Sequence, residues 1–539
     1  MFDLKIVNGQ LADGTGRPLY KGDIGITGDR ITAIGELGSA PSKTTIDAAG
    51  KVVSPGFIDM HTHSDLSVLV DPHASSKIHD GVTTEVIGNC GIGVAPVKPG
   101  QEKLLVDYLG TRMIGTIPVE IKLHWSSFAE YLDYINAHSP AVNIAPLLAH
   151  GPIRIATMGF SPDHPSLEQM EAMKQLIRDG MEAGALGFST GLIYMPGEFS
   201  TTDELAELTA EIRSKSGFYV THIRNESQDV FTALEEALTI GQKARTPVHI
   251  SHLKLCGSSV WGRTDELLGR IDRAVADGIE TSFDLYPYTA GMTSLMACLP
   301  PWAFEGGVEK LLARLGDSTQ RMKMIESIEQ GIPGWQNMSK AAGGWQNIML
   351  STVFTEKNKE LEGKTIEELA ELLGKDPYSV VFDLLVEERG RIQIVLHMMQ
   401  EADLQAILRH PLSSIGSDGM SMANKGVLST GKPHPRAFGT RARVLAKYVR
   451  EEGLLTVEEA VKKMSYMPAK RLGLKDRGVL AEGNFADLLI FDPAKVSDQA
   501  TYQDSKQYSV GFDTVIVNGA VALQDGVEQE VFNGRVVTK

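Results

Sequence analysis

The chain has 539 residues, of which 42% are hydrophobic and 22% are charged, the ordinary balance of a folded globular protein. Acidic residues outnumber basic ones by 68 to 52, and the net charge of −16 argues against nucleic acid or an anionic membrane as the main partner. Three cysteines cannot form a disulfide framework in a chain of this length, so we expect a reducing compartment.

The N-terminal residues show neither the basic segment nor the long apolar segment of a secretory signal. No uncharged apolar run reaches the ~18–20 residues that a membrane span requires. The sequence therefore predicts a cytoplasmic protein that does not enter a membrane.

The sequence pattern at both ends of the chain predicts short β-strands. Near the N-terminus, residues 4–7, 24–26 and 30–34 are rich in β-forming side chains and are separated by Asn-Gly and Gly-Asp turns. The same pattern of β-forming residues and turns occurs near the C-terminus, at residues 487–491, 514–517 and 535–537. We predict that residues 1–54 and 478–539 fold together as one small β-sandwich domain.

The middle of the chain alternates short apolar strands with helical patterns, which favours parallel βα units. Eight candidate strands are present, the number that a (β/α)8 TIM-like barrel needs. They are Phe57–His61, Val82–Gly88, Val142–His150, Ala185–Ser189, Phe218–His222, Pro247–His252, Glu280–Leu285 and Ser413–Asp418. We predict an α/β fold in which residues 55–477 form the barrel.

One stretch, about residues 286–346, is too long for an ordinary βα connection. It contains apolar residues near a Pro-Pro-Trp sequence at 300–302 and a Gly-Gly-Trp sequence at 343–345. We predict an inserted subdomain here, with a lid or a plain surface elaboration as the two interpretations.

A His-x-His pair, His61 and His63, ends the first predicted barrel strand. Residues two apart on a strand point the same way, so two imidazoles at the carboxyl end of the strand can bind one metal. Asp59 lies on the same alternating face. It is expected either to orient a ligand or to act as a plain buried hydrogen-bond acceptor.

Further candidate ligands follow or end four later strands. They are Cys90, His222, His252 and Asp418. Each has an ordinary structural explanation taken alone, but all of them fall at the barrel face that carries active sites. A set of cysteine, histidine and aspartate suits zinc, which accepts sulfur, nitrogen and oxygen donors, and a thiolate does not suit magnesium or calcium. Zinc lowers the pKa of a bound water towards ~7, and Asp418 beside that water is a candidate general acid/base.

These motifs resemble the amidohydrolase superfamily and, within it, the N-acyl-D-amino-acid deacylases, the D-aminoacylase family. The resemblance covers nearly the whole chain. It rests on the opening Gly-Phe-Ile-Asp-x-His-x-His and on Gly-Asn-Cys-Gly, Thr-His-x-Arg-Asn-Glu, His-Ile-Ser-His-Leu-Lys and Gly-Ser-Asp-Gly. Many superfamily members place a carboxylated lysine on strand four, whereas residues 185–189 contain no lysine.

The resemblance implies hydrolysis of the amide of N-acyl-D-amino acids by a metal-bound hydroxide. It implies that Cys90 takes the bridging role of the missing lysine. Cys90, His222 and His252 would hold one tight Zn²⁺, and His61, His63 and Asp418 would serve a second position whose occupancy the sequence leaves open. Asp418 would also be the general acid/base.

The resemblance also implies side chains that bind the free α-carboxylate of the substrate. The candidates are Lys254, Arg436, Tyr194 and Tyr288. The expected partner is a small N-acyl amino acid, and the expected oligomeric state is a monomer or a small homo-oligomer.

Other functions remain open at this point. One is a cyclic-amide hydrolase of the hydantoinase or dihydroorotase type, and another is a dipeptidase that acts on D-amino acids. A nucleobase deaminase has no role for Cys90, and a non-catalytic scaffold on the same fold would have lost ligands that are present here.

Overall fold

The computed structural model of the chain describes residues 1–112, 117, 120 and 122–539. The strands in chain order are β1 (Phe2–Leu11), β2 (Tyr20–Thr27), β3 (Arg30–Gly35), β4 (Ser42–Asp47), β5 (Val52–Pro55), β6 (Phe57–Asp59), β7 (Val82–Ile87), β8 (Asn143–Pro146), β9 (Leu148–Ala149), β10 (Gly187–Gly191), β11 (Phe218–His222), β12 (Val248–Ile250), β13 (Thr281–Leu285), β14 (Ala290–Ser294), β15 (Ile348–Thr352), β16 (Gln393–His397), β17 (Ser413–Ile415), β18 (Leu488–Phe491), β19 (Phe512–Val517), β20 (Ala520–Gln524) and β21 (Val527–Glu528).

The α-helices in chain order are α1 (Ser67–Val70), α2 (Ser75–Ile78), α3 (Glu102–Gly110), α4 (Phe128–His138), α5 (His150–Met158), α6 (Leu167–Glu182), α7 (Thr202–Ala210), α8 (Val230–Ala244), α9 (Thr264–Ala276), α10 (Val308–Leu315), α11 (Ser318–Gln330), α12 (Met338–Ala341), α13 (Ile366–Leu373), α14 (Pro377–Glu387), α15 (Glu401–Arg409), α16 (Arg436–Arg443), α17 (Val457–Met464) and α18 (Tyr466–Leu472). Among the residues described, no helix is both long and apolar enough to cross a membrane.

The two ends of the chain form one sheet. Its strand order is β21-β20-β19-β18-β5-β1-β2-β3, with β4 paired to β1. Strand β18 from the C-terminal part pairs antiparallel with β5 from the N-terminal part, which joins the two ends directly. These pairings make one continuous sheet, and its division into the two packed layers of a sandwich stays a prediction.

The last predicted strand, residues 535–537, is an exception. Its backbone bonds to β8 rather than to the terminal sheet: Ile144 N donates to Arg535 O at 2.9 Å, and Val537 N donates to Ile144 O at 2.7 Å. The sequence pattern was that of a strand, but an apolar run does not specify which sheet edge it will join.

The predicted barrel strands form two parallel sheets. One sheet contains β6, β7 and β8, and the other has the order β17-β13-β12-β11-β10-β9. Strands β8 and β9 are consecutive pieces of the third predicted strand, and they connect the two sheets. On the opposite side Asp418 N donates to His61 O at 2.8 Å, and His63 N donates to Gly419 O at 2.9 Å, so the loop after β17 bonds to the loop after β6. The carboxyl ends of the eight strand positions therefore meet around one centre.

The segment between β13 and β17 builds a sheet of its own. Strand β16 pairs antiparallel with both β14 and β15. A separate apolar core packs against this sheet and includes Leu295, Leu350, Leu369, Leu385 and Ile394. Strands β15 and β16 lie after residue 346 and pair with β14 or with each other, so this sheet includes residues outside the predicted range 286–346, and the bounds of the insert stay a prediction. The sequence pattern of strands and helices there could not be distinguished from that of the barrel.

Candidate metal centre

The backbone of the central loops turns sharply at three of the predicted metal ligands. Cys90, His252 and Asp418 have φ values of 55°, 35° and 50°. A non-glycine residue in this left-handed region costs on the order of 1–3 kcal/mol and persists only where the surrounding structure fixes it. The three strained residues follow β7, β12 and β17, and each directs its side chain to the same place. The strain therefore coincides with the candidate centre.

Cys90 lies at the middle of a group of histidines. Its Sγ atom is 3.2 Å from His61 Nε2, 3.4 Å from His252 Nε2 and 3.8 Å from His222 Nδ1. Burial alone would raise the pKa of Cys90, but the His61 and His252 rings hold this pKa well below its usual value. The thiolate form, which is the metal-binding form, is thus favoured.

Asp418 joins the group from the opposite side. Its Oδ1 atom is 3.1 Å from His63 Nε2 and 3.6 Å from His61 Nε2. The candidate ligand atoms of His61, Cys90, His252 and Asp418 all lie within 4.8 Å of one another, and all four residues are buried. The structure therefore brings together all six side chains that the sequence singled out, and their assignment as ligands stays a prediction.

The donors fit a zinc ion. They comprise one sulfur atom, imidazole nitrogens and a carboxylate, which is a set that zinc accepts. The Cys90 sulfur, the Asp418 carboxylate and the His61 and His252 rings are buried within 4.8 Å of one another. Polar and charged groups so close together and away from water are costly unless a partner such as a cation completes them.

The Asp59 carboxylate contacts backbone N–H groups and the cationic side chains of Lys77 and Arg441. Its carboxylate accepts from Ser417 N at 2.8 Å and from Lys77 Nζ at 2.9 Å, and it forms an ion pair with Arg441 at 2.6 Å. His61 N also donates to it, at 3.3 Å. Asp59 thus fixes the loops that carry His61 and Asp418, which combines both roles expected from the sequence.

Sequence reasoning assigned no role to two carboxylates that lie behind the histidines. Asp284, on β13, is 3.3 Å from His61 Nδ1 and 2.9 Å from His249 Nε2. Glu226, after β11, is 3.0 Å from His252 Nδ1. Asp284 is the last residue but one of the buried strand β13, and a charged residue in such an apolar run was the signal that the sequence offered. Glu226 belongs to the quoted Thr-His-x-Arg-Asn-Glu motif, but only the fold shows what it touches.

The predicted carboxylate-binding residues do not all reach the centre. Arg436 NH1 forms a 2.8 Å ion pair with Asp418, and Lys254 Nζ lies 2.7 Å from His252 Nδ1. The ring of Tyr286 lies 4.6 Å from the Arg436 guanidinium and 5.4 Å from the Lys254 ammonium. Tyr286, which sequence reasoning missed, is therefore the tyrosine between the two cations.

The two predicted tyrosines, Tyr194 and Tyr288, contact side chains other than the Lys254 and Arg436 cations. The Tyr194 ring centroid is 5.2 Å from that of His222, and its hydroxyl is 3.2 Å from Thr293 Oγ1 of the inserted segment. The Tyr288 ring lies 4.8 Å from the Arg443 guanidinium, and its hydroxyl is buried with no hydrogen-bond partner in the described part of the chain. Tyr288 was predicted because it follows the seventh strand and the family resemblance implies such a residue. The structure instead brings Tyr286 to the two cations, and Tyr288 N donates to Tyr286 O at 2.9 Å in the turn between them.

The comparison with known families agrees with this geometry. The model of the amidohydrolase family matches residues 44–536. The chain belongs to the amidohydrolase family. It is 36% identical over 540 residues to a D-aminoacylase from Alcaligenes xylosoxydans xylosoxydans, covering 100% of this chain and 98% of that relative.

Two solved structures of this family are similar over their whole length. A D-aminoacylase with a binuclear metal centre, described by one-metal activation and second-metal attenuation, has a TM-score of 0.81 and 34% identity, with 100% of both chains covered. The N-acyl-D-glutamate deacylase from Bordetella bronchiseptica, complexed with zinc and a phosphonate inhibitor, has a TM-score of 0.83 and 33% identity, again with 100% of both chains covered. The amidohydrolase chain described here therefore has the TIM-barrel-like fold of that family.

Proposed function

We propose that this amidohydrolase cleaves the amide bond of N-acyl-D-amino acids and releases a carboxylate and a D-amino acid. One observation carries the proposal: a cysteine-centred set of metal donors lies directly beside two buried cations, Lys254 and Arg436. Such a pair of features suits a substrate with a scissile amide next to a free carboxylate. The similarity to D-aminoacylase over 100% of the chain supports the same reaction.

The proposed metal is zinc. Cys90, His222 and His252 would hold one ion tightly, and His61, His63 and Asp418 would serve a second position next to it. When bound, zinc activates water and polarises a carbonyl group. The position of Cys90 Sγ between His61 and His252 supports its role as a ligand shared by both positions.

Asp418 is the proposed general acid/base. Burial would raise its pKa, but the Arg436 guanidinium and the His252 ring hold the pKa of Asp418 well below the usual range of a carboxyl group. Asp418 is therefore ionised at neutral pH, which is the protonation state that a general base requires. In the proposed reaction it takes a proton from the attacking water. It then gives that proton to the amide nitrogen as the carbon–nitrogen bond breaks.

The substrate carboxylate is proposed to bind at Lys254 and Arg436 over the Tyr286 ring. Both cations are buried, so a carboxylate there meets little competing water and its charge-assisted hydrogen bonds are strong. Tyr194 stays a candidate at the edge of the site, and Tyr288 is the weakest of the predicted contacts. The D-configuration follows from the names of the relatives alone.

Linear and cyclic amides with the same side chain separate this proposal from its rivals. Zinc-loaded protein is incubated with N-acetyl-D-methionine, with the hydantoin of D-methionine and with a dipeptide of D-methionine. The proposal predicts release of D-methionine from the acetyl compound with little turnover of the other two. Opening of the hydantoin without cleavage of the acetyl compound would instead identify a cyclic-amide hydrolase, and cleavage of the dipeptide alone would identify a dipeptidase.

A further inference from the structure

We propose that Glu226 is a positioning residue that holds His252 in its metal-binding tautomer against the competing ammonium group of Lys254. The inference rests on the metal centre of the proposed function and adds to it a residue that is not among the six proposed ligands.

Glu226 is in contact with three functional side chains at once. Its Oε1 atom accepts from Lys254 Nζ at 2.6 Å and lies 3.0 Å from His252 Nδ1. Its Oε2 atom lies 3.7 Å from His222 Nε2. The residue is buried, so these contacts are not weakened by solvent. One carboxylate thus lies behind both histidines of the proposed tight site.

The orientation of His252 specifies which tautomer a metal requires. Its Nε2 atom faces Cys90 Sγ at 3.4 Å, whereas Nδ1 faces away from the centre. A neutral imidazole binds a metal only through the nitrogen that carries no hydrogen. His252 can therefore act through Nε2 only when the hydrogen is on Nδ1.

Two neighbours of Nδ1 favour opposite tautomers. Lys254 Nζ is 2.7 Å away, and an ammonium group is only a donor, so it favours a bare Nδ1 and a hydrogen on Nε2. The Glu226 carboxylate is only an acceptor, so it favours the hydrogen on Nδ1. Because Glu226 also accepts from Lys254, it turns the competing donor towards itself and leaves Nε2 free for the metal.

The backbone of Glu226 is fixed from two sides. Its N–H donates to Gln336 Oε1 of the inserted segment at 2.7 Å, and its carbonyl oxygen accepts from Cys256 N at 2.7 Å. The carboxylate is thus held by the barrel loop after β12 and by the insert together. Partners that orient a metal-bound histidine typically contribute 10–100-fold in metal affinity.

The test measures zinc affinity rather than turnover, by competition with a chromophoric chelator. Glu226→Gln is expected to weaken zinc binding by roughly 10–100-fold. Adding Lys254→Met to it removes the competing donor, and the double variant is expected to recover about half or more of that loss on a logarithmic scale. Glu204→Gln is the matched control, because Glu204 is a buried carboxylate that accepts from Ser200 Oγ at 2.9 Å and lies near His150 and Arg154, none of which is a proposed ligand.

A merely structural role for Glu226 predicts a different pattern. The double variant would then bind zinc no more tightly than Glu226→Gln, and that result overturns the proposal, as does unchanged zinc affinity in Glu226→Gln. If Glu226→Gln fails to fold, Glu226→Asp takes its place. Its shorter side chain cannot reach both partners, and unchanged zinc affinity there overturns the proposal equally.

The result is independent of the substrate. Failure of the proposed function would appear as normal zinc binding without release of any D-amino acid. Failure of the present inference would appear as zinc affinity that does not depend on Glu226. The two failures are therefore distinguishable in the same preparations.

Discussion

The predicted ligands of the candidate metal centre differ in how many other predicted ligands they contact. Cys90 has three imidazole nitrogens within 3.8 Å of its sulfur atom, whereas His63 has one close carboxylate and an unpartnered Nδ1. A thiolate also adds a negative charge that a neutral histidine does not. We therefore expect metal binding to depend more on Cys90 than on any other of the six predicted ligands.

Cys90→Ala is expected to lose the tightly bound zinc, because no other described sulfur lies in the centre and a methyl group offers no lone pair. Zinc content after gel filtration, measured by atomic emission, checks this. Cys298→Ala is the matched control, since Cys298 is equally buried but belongs to the core of the inserted segment. Full zinc content in Cys90→Ala would show that Cys90 is not a zinc ligand and serves only in packing.

Asp418→Asn tests the proposed acid/base. The amide keeps the size of the side chain but cannot accept the proton, so kcat is expected to fall by about 10²–10⁴-fold. KM is expected to change far less, because Lys254 and the Tyr286 ring remain. A variant with near-normal kcat would remove Asp418 from the proton transfer.

At the scale of elements, the apolar runs predicted the barrel strands well. Each of the eight predicted barrel strands overlaps an observed strand, because short apolar runs bounded by turn residues permit little else. The third run is interrupted at Leu147, where the chain passes from β8 to β9. Strands β15 and β16 were not separated from the barrel, because a sequence pattern identifies a strand but not its neighbours.

The sequence indicated which strand-end residues are candidates for the site, but not which residues of the following turns contact them. Residues at the ends of strands, such as Cys90 and His222, could be found because all barrel strands end at one face. Glu226, Asp284 and Tyr286 could not be assigned roles, because their contacts depend on turns after the strands. The ligand assignment and the domain boundaries both remain predictions.

Ile394→Ala tests the inserted sheet as an element. Ile394 is fully buried on the central strand β16, so its truncation is expected to cost about 2–5 kcal/mol of unfolding free energy. Leu372→Ala on α13 is the control, since Leu372 is 61% exposed. Urea denaturation measures both, and equal stability of the two variants would show that this sheet adds little to the fold.

At the scale of the whole molecule, buried ionisable groups make stability depend on pH. His150 is almost fully buried at the start of α5, and neither ring nitrogen has a hydrogen-bond partner among the residues that the structure describes. Burial, with Arg154 and Arg224 nearby, lowers the pKa of His150 to about 3. The folded state therefore binds fewer protons than the unfolded state between about pH 6.5 and 3, and the contribution of His150 to stability is lost as the pH falls through this range.

His150→Phe is expected to make the free energy of unfolding depend less steeply on pH in this range. One titrating group changes the slope of the unfolding free energy by up to about 1.4 kcal/mol per pH unit. Denaturation curves at several pH values between 6.5 and 4 measure the slope, and the exposed His164, replaced by Phe, serves as the control. An unchanged slope in His150→Phe would mean that His150 is protonated in the folded protein.

The central claim is that this amidohydrolase chain releases D-amino acids by means of its metal centre. The most direct measurement is methionine release from N-acetyl-D-methionine and N-acetyl-L-methionine by zinc-loaded protein, with metal-free protein as the baseline. The account predicts release from the D-compound alone, and only with zinc. Release from the L-compound alone, from either compound without metal, or from neither compound with zinc bound would contradict it.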